Sequence, residues 1–340
     1  MHIINFAIIL FLQSFFAFNE KVENFLLSTV NHDSIMVGVS GLDPKKTKLL
    51  ASNIVFQSTD DGQTWQDISV GLPPDLKAEE VFVGNGELYL NGVLGMYHSS
   101  ATTTVPVWKK EISFDNRSNM VSSGRAGLYA YNRSGHFFQK QKSIGIWMPI
   151  FNSFKGSAVR TVMETSDGIV FIGCDQGIYK SSDSGNTWKH IFDNGWVIHM
   201  VESNGVLLCT NARGILRSTD DGENWNLVIS EGGVGIAVEP IEGGFAAITY
   251  NTETKTRRVR TSVDAGKTWQ AIDAGLPAHA SIASIKQMGD YLFCGHPDGI
   301  FRSSDKGKTW ELLLPAIDKK VFNLSVSGNV IYAIPRVEGC

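Results

Sequence analysis

The sequence predicts an all-β chain folded as a single propeller of four-stranded antiparallel blades. Three observations carry this. The octapeptide Ser-x-Asp-x-Gly-x-(Thr/Asn)-Trp occurs five times, its copies are spaced by steps near 41 residues, and no helical periodicity of useful length follows the N-terminal leader.

Composition permits such a fold. Of 340 residues, 43% are hydrophobic and 19% charged, enough for a large core and unlike a disordered chain. The 34 Gly against 10 Pro point to many tight turns. A formal net charge of −4 gives no electrostatic basis for nucleic acid or an anionic membrane as the main partner.

Residues 1–19 contain no Asp, Glu, Lys or Arg, and Ile3 to Leu12 is almost wholly apolar. This reads as a signal peptide with processing near Ala17, so residues 20–340 form the propeller and the protein is secreted, periplasmic or displayed at the cell surface. The segment preceding the apolar run offers only His2 as a basic group, which keeps a retained membrane anchor and a buried first strand open as alternatives. No membrane insertion beyond such an N-terminal anchor is expected. Cys174, Cys209 and Cys294 take similar places before three different octapeptides, so they belong to separate blades, too far apart for disulfides. They read as small buried apolar residues. Cys340 receives no role.

The octapeptides run Ser58 to Trp65, Ser181 to Trp188, Ser218 to Trp225, Ser262 to Trp269 and Ser303 to Trp310. Stepping 41 residues from Ser58 reaches Ser99, followed by Trp108, and a second such step reaches Lys140, followed by Trp147. Ala101 and Lys142 replace the Asp there, so two decayed copies keep the frame and lose the turn chemistry. A short strand precedes the octapeptide copies, usually after Gly, as at Gly95, Gly177, Gly214 and Gly299. The residue choice follows from turn physics. Ser and Asp offer short acceptors to local amides, Gly supplies a left-handed backbone, and Trp opens the outer strand and buries its indole. The structural set is therefore Asp60, Asp183, Asp220, Asp264 and Asp305 with Trp65, Trp188, Trp225, Trp269 and Trp310.

These octapeptides resemble those of the Asp-box, or BNR-repeat, propellers, and the resemblance covers essentially everything after the leader. Leu42 to Ala51 is similar to a linker and second strand of such repeats. Full blades are counted from about Ser34 to Leu314, and Val321 to Val326, Val330 to Ile334 and Glu23 to Val30 look like further strands. The expected ring has eight blades, the last stitched from both termini. The alternative is seven.

Five carboxylates spread around a ring cannot converge, so the octapeptide Asp residues are read as structural. The ligand mouth lies on the opposite side, at loops joining second to third strands and blade to blade. Its candidates are Trp196, Arg133, Asp175, Arg213, Arg257, Arg258, His296 and Asp298. Trp196, the one tryptophan outside the repeat, suits stacking on a sugar or anchoring a peptide, and the arginines suit a carboxylate. Gly71-Leu72-Pro73 and Gly275-Leu276-Pro277 are paired blade-to-blade segments. The eight histidines show no metal-ligand spacing, so neither metal nor cofactor is expected. Asn116, Asn132 and Asn323 open glycosylation sequons.

The resemblance implies several activities. A non-catalytic protein- or glycan-binding module or scaffold, of the kind seen in sortilin ectodomains and photosystem assembly factors, fits best. The alternative is a glycoside hydrolase, sialidase-like or xyloglucan-active. The sialidase Phe/Tyr-Arg-Ile-Pro motif is missing, with only Ile334-Pro335-Arg336 near it in composition, and no mouth loop supplies the two close carboxyls glycosidases need.

Overall fold

The computed structural model describes residues 53–337 apart from 104, 113, 115–118, 126, 142–144, 151–156 and 231–232. The leader, the Glu23 to Val30 and Leu42 to Ala51 segments, Lys142, the Asn116 sequon and Cys340 lie outside the described residues.

Seven four-stranded antiparallel sheets follow one another. Their innermost strands are Ala78–Gly84, Met120–Gly124, Val159–Glu164, Val197–Ser203, Gly233–Ile241 and Ser284–Met288 in blades 1 to 6, and Val321–Ser327 in blade 7. Each touches the innermost strand of the next blade, and the last touches the first. The ring is closed.

The eight-blade expectation is thereby corrected to seven. Blade 7 is stitched from both parts of the chain, but it is the blade that owns the first octapeptide. Its outer strands are Phe56–Ser58 and Gln66–Asp67, and its inner pair is Val321–Ser327 and Val330–Arg336. Phe56 pairs with Ala333 and Ser58 with Ile331. The count from Ser34 gave the first octapeptide an inner hairpin of its own, whereas the C-terminal strands fill that place.

Between each pair of neighbouring blades lies one hydrophobic cluster, and each of the seven contains one repeat tryptophan. Trp108 sits with Val81 and Tyr332 at the 7–1 interface, Trp147 with Tyr89 at 1–2, and Trp188 with Phe137 at 2–3. Trp225, Trp269, Trp310 and Trp65 complete the circle. The tryptophan of each blade thus packs against the blade before it. Cys174, Cys209 and Cys294 are buried and unpaired.

The glycine that opens the third strand of blades 3, 4 and 6 has a steric cause. At Gly177 (φ +121°) an added Cβ would lie 1.8 Å from the carbonyl oxygen of Phe192 on the outer strand, and Gly214 stands in the same relation to Ile229.

The octapeptide turns are built alike. In the first, the Ser58 hydroxyl donates to Asp60 Oδ1 (2.8 Å) and accepts from the Gly62 amide (3.0 Å). The amide and hydroxyl of Thr64 donate to Asp60 Oδ1 (2.9 Å) and Oδ2 (2.6 Å). The Thr64 and Ser58 hydrogen bonds hold the Asp60 carboxyl down at about 2, and Asp183, Asp220 and Asp305 also stand at about 2.

Candidate functional site

The second strand of each blade ends, and the first begins, on the face opposite the octapeptide turns. Here most of the proposed mouth residues are engaged with neighbouring residues of their own or the next blade. In blade 4, Asn211 Nδ2 donates to the carbonyls of Asn194 and Trp196 (both 3.1 Å), while its Oδ1 accepts the Arg213 amide (3.0 Å). Arg213 Nη2 then donates to Asn194 Oδ1 (2.7 Å). The blade-to-blade loop carrying half-buried Trp196 is thereby clipped to the second hairpin. In blade 3, Asp175 forms an ion pair with Arg160 of the innermost strand.

Blade 5 holds two arginines differently. Arg258 grips Asp273 through Nε (2.6 Å) and Nη2 (3.0 Å), and Asp273 also accepts the Val259 amide (3.0 Å). Arg257 turns toward the blade 6 linker, donating from Nη1 to the Ile282 carbonyl (2.5 Å) and from its amide to the His279 carbonyl (2.9 Å). His296 is fully buried. Its Nδ1 lies 3.0 Å from the Asp298 amide, which can only donate, so the ring proton sits on Nε2 and is given to the Pro277 carbonyl (2.8 Å). Asp298 keeps an exposed side chain. Arg133 is exposed beside Asn132, whose Oδ1 accepts the Ser134 amide (3.0 Å) and whose Nδ2 donates to Asn119 (2.9 Å).

The two Gly-Leu-Pro segments are packing elements. A Cβ on Gly71 would meet the Trp108 carbonyl oxygen at 2.7 Å, one on Gly275 would meet the Trp310 ring at 3.3 Å, and Leu72 and Leu276 are buried.

A second group of charges, on innermost strands, escaped the sequence reading. Glu80 in blade 1, His199 in blade 4, Glu239 in blade 5 and Lys286 in blade 6 sit on strands that line the axis. Lys286 Nζ forms an ion pair with Glu239, both largely buried. Glu80 is enclosed by protein yet retains an exposed surface, a combination that a side chain lining a narrow open channel satisfies. Enclosure pushes its carboxyl up, reinforced by Glu239 and opposed by Lys286, His199 and Arg336. Arg336 closes the second strand of blade 7 at the mouth end. Burial raises the Tyr131 phenol beside Glu80, and burial, with Arg336, lowers Arg257. His199 Nδ1, Ser122 Oγ and Arg257 Nε are buried without a hydrogen-bond partner among the described residues. A charged residue inside an innermost strand, as in Glu79-Glu80-Val81 or Ile285-Lys286-Gln287, is the signal that would have found this group. Among the described residues no three His, Cys, Asp or Glu side chains group as a metal site.

Seven four-stranded blades around a polar axial channel define a β-propeller. Solved propellers of differing activity are similar to it. Virginiamycin B lyase from Staphylococcus aureus, determined with quinupristin, aligns at TM-score 0.61 and 12% identity over 77% of this chain and 96% of its own. A GH74 xyloglucanase from Xanthomonas campestris aligns at 0.59 and 14% identity over 78% of this chain, which spans only 52% of that enzyme. YCF48 bound to a D1 peptide aligns at 0.56 and 12% identity, over 79% of this chain and 94% of its own. At such identities the likeness is one of fold alone. No family profile matches the sequence, and no curated protein is similar to it.

Proposed function

We propose that this chain is an exported propeller of the Asp-box type that binds a polypeptide partner across its channel mouth without catalysing a reaction. The observation that carries this reading is the apolar rim. Val93 and Leu94 in the second hairpin of blade 1, Ile112 in the following linker and Val337 after the second strand of blade 7 are 49%, 44%, 91% and 71% exposed. Topology places all four on the mouth side of one sector, and exposed apolar side chains gathered on one face suit protein contact better than sugar hydroxyls. The paired charges of Asp175, Arg213 and Arg258 lie on blades 3, 4 and 5, away from this apolar sector. Support for the Asp-box type comes from the five hydrogen-bonded octapeptides, and support for export from the apolar leader. YCF48, with its D1 peptide, is a similar fold that holds a peptide.

The test compares peptide and glycan arrays probed with the full chain and with Leu94→Asp and Val337→Asp. Peptide binding lost in both variants is the expected result. Binding confined to the glycan array, or peptide binding indifferent to both changes, overturns the reading. Periplasmic or extracellular delivery of a reporter fused behind residues 1–30 tests export.

One observation favours a second reading, a glycoside hydrolase. Burial pushes the Glu80 carboxyl up, Glu239 is ion-paired with Lys286, the two carboxyls act on each other electrostatically, and glycoside hydrolysis uses a pair of carboxyls. Turnover of a fluorogenic glycoside, abolished by Glu80→Gln, would establish it.

A further inference from the structure

We propose that the mouth ends of blades 7 and 1 together dock an acidic amphipathic polypeptide segment, its apolar side chains on Val93, Leu94 and Val337 and its carboxylates on Lys77 and Lys320. The inference rests on the mouth being a polypeptide-binding face and names the chemistry of the partner.

The two blades carry the same pair of residues at the same place. In blade 7 the ladder between the two inner strands ends with Val321 opposite Arg336, so Lys320 and Val337 face each other one step beyond it. In blade 1 it ends with Ala78 opposite Gly92, which sets Lys77 against Val93, and the Val93 amide donates to the Lys77 carbonyl (3.0 Å). Residues opposed in this way lie about 5 Å apart. Each blade thus offers a lysine at the start of its innermost strand and, one strand further out, an exposed apolar side chain. Ile112 carries the apolar surface of blade 1 outward, because the preceding Glu111 amide donates to the Met96 carbonyl (2.8 Å) beside the same hairpin. The two blades are tied together near this end, where Asn323 Nδ2 donates to the Glu79 carbonyl (2.8 Å). The two lysine and valine pairs therefore form one band across the joint.

Among the described residues no other blade repeats the pair. The same positions hold Asn119 and Asn132 in blade 2, Ala158 and Asp175 in blade 3, and Trp196 and Ala212 in blade 4. In blade 6 they hold Ala283 and the buried His296.

The band is also short of carboxylates. Arg213 and Arg258, elsewhere on the mouth, are each held by a neighbour, whereas Lys77 is exposed and has no ion pair with a described residue. Lys320 has only Asp318, 3.9 Å away and itself largely exposed, and such a surface pair contributes little. Glu79 accepts from Asn91 Nδ2 (3.1 Å) and Asp67 from the Asn53 amide (3.0 Å). Exposed Asp75 and Asp318 are left to face Lys77, Lys319, Lys320 and Arg336. In a chain of net charge −4, a band of exposed lysines set against apolar side chains favours a partner that brings carboxylates and apolar groups together.

The experiment probes the full chain with an array of short peptides in which Leu and Phe are held constant while Glu is exchanged for Gln or Lys, and titrates the strongest binders by fluorescence anisotropy. Peptides bearing Glu are expected to dominate. Their affinity should fall about tenfold or more in Lys77→Glu and in Lys320→Glu, fall with added salt, and stay unchanged in Lys255→Gln, an exposed lysine at the mouth of blade 5. Leu94→Ser and Val337→Ser, which remove apolar groups without adding charge, should weaken the same peptides. Unchanged melting temperatures separate a lost contact from a lost fold, and should Lys320→Glu melt early, the exposed Lys77 carries the test. Binders dominated by Gln or Lys, or binding indifferent to both lysine changes, overturn the inference. If those binders are still lost in Leu94→Ser and Val337→Ser, the docking face stands and only the acidic partner falls. Acidic peptides that ignore both serine changes overturn the docking face itself. An array without binders, beside self-association abolished by Val337→Ser, overturns the inference in favour of a second copy of this chain.

Discussion

The indole nitrogen of Trp310 donates a 2.8 Å hydrogen bond to the carbonyl of Ile272, which belongs to the preceding blade. Trp108 makes the same bond, 2.7 Å long, to Ile68 across the joint between blades 7 and 1. Trp65, Trp188 and Trp269 instead donate to the glycine of their own octapeptide. The repeat tryptophan is thus a fastener between blades at some positions and a lid on its own turn at others.

Trp108→Ala should therefore cost more than the same change at a turn-capping site. Trp108 is only 3% exposed and satisfies a buried carbonyl, so we expect a loss of about 3–5 kcal/mol by chemical denaturation. Trp188→Ala should destabilise less, and Trp196→Ala, outside every interface cluster, should barely change the melting temperature. Equal losses at Trp188 and Trp196 would contradict the assignment of the repeat tryptophans to the core.

The octapeptide carboxyls set the acid limb of stability. Asp60, Asp183, Asp220 and Asp305 stand at about 2 in the folded chain, below the ordinary aspartate value of about 3.9. A carboxyl lowered by folding contributes fully above its unfolded value and loses that contribution as pH falls toward the folded one. Melting temperature should hold steady above about pH 5 and fall between about pH 4 and 2. Asp183→Asn should lower the plateau and flatten that decline, as read by melting across the pH series.

Two glycines separate steric need from backbone conformation. Gly177→Ala drives a Cβ into the Phe192 carbonyl at 1.8 Å and should cost at least about 3 kcal/mol. Gly205→Ala, at φ +75° with nothing within 4 Å, should cost only about 1–2 kcal/mol. Urea unfolding of the two variants side by side distinguishes them.

The closing blade should unfold the ring as a unit. Phe322, fully buried, meets Phe56 edge-on at 6.5 Å, joining the C-terminal hairpin to the first described strand. Phe322→Ala should cost about 3–5 kcal/mol and expose Trp65 and Trp310 together, giving one fluorescence transition. Two separated transitions would mean that blades 6 and 7 open independently.

How much was legible in the sequence depended on the range of the interaction. The octapeptide bonds join residues no more than four apart, such as Ser58 to Gly62 and Asp60 to Thr64, so a linear pattern records them in full. Period and turn chemistry therefore announced four-stranded blades, but the same residues were read as eight blades where the structure has seven. The ring's closure did not lie within reach of that pattern. Whether Phe56 pairs with an upstream strand or with Ala333 is decided by curvature summed over every blade, and only the completed circle brings those two residues together. The channel charges were hidden for the same reason. Glu80, Glu239 and Lys286 come from three distant parts of the chain, and their mutual fields exist only where innermost strands converge on an axis. Mouth residues such as Arg213 and Arg258 were visible as types, while their partners, Asn194 and Asp273, were chosen by tertiary packing. Local hydrogen-bond chemistry, confined to a few bonds of chain, determined the blade; long-range packing, which pairs residues by position in space, decided the number of blades and the chemistry of the channel they enclose.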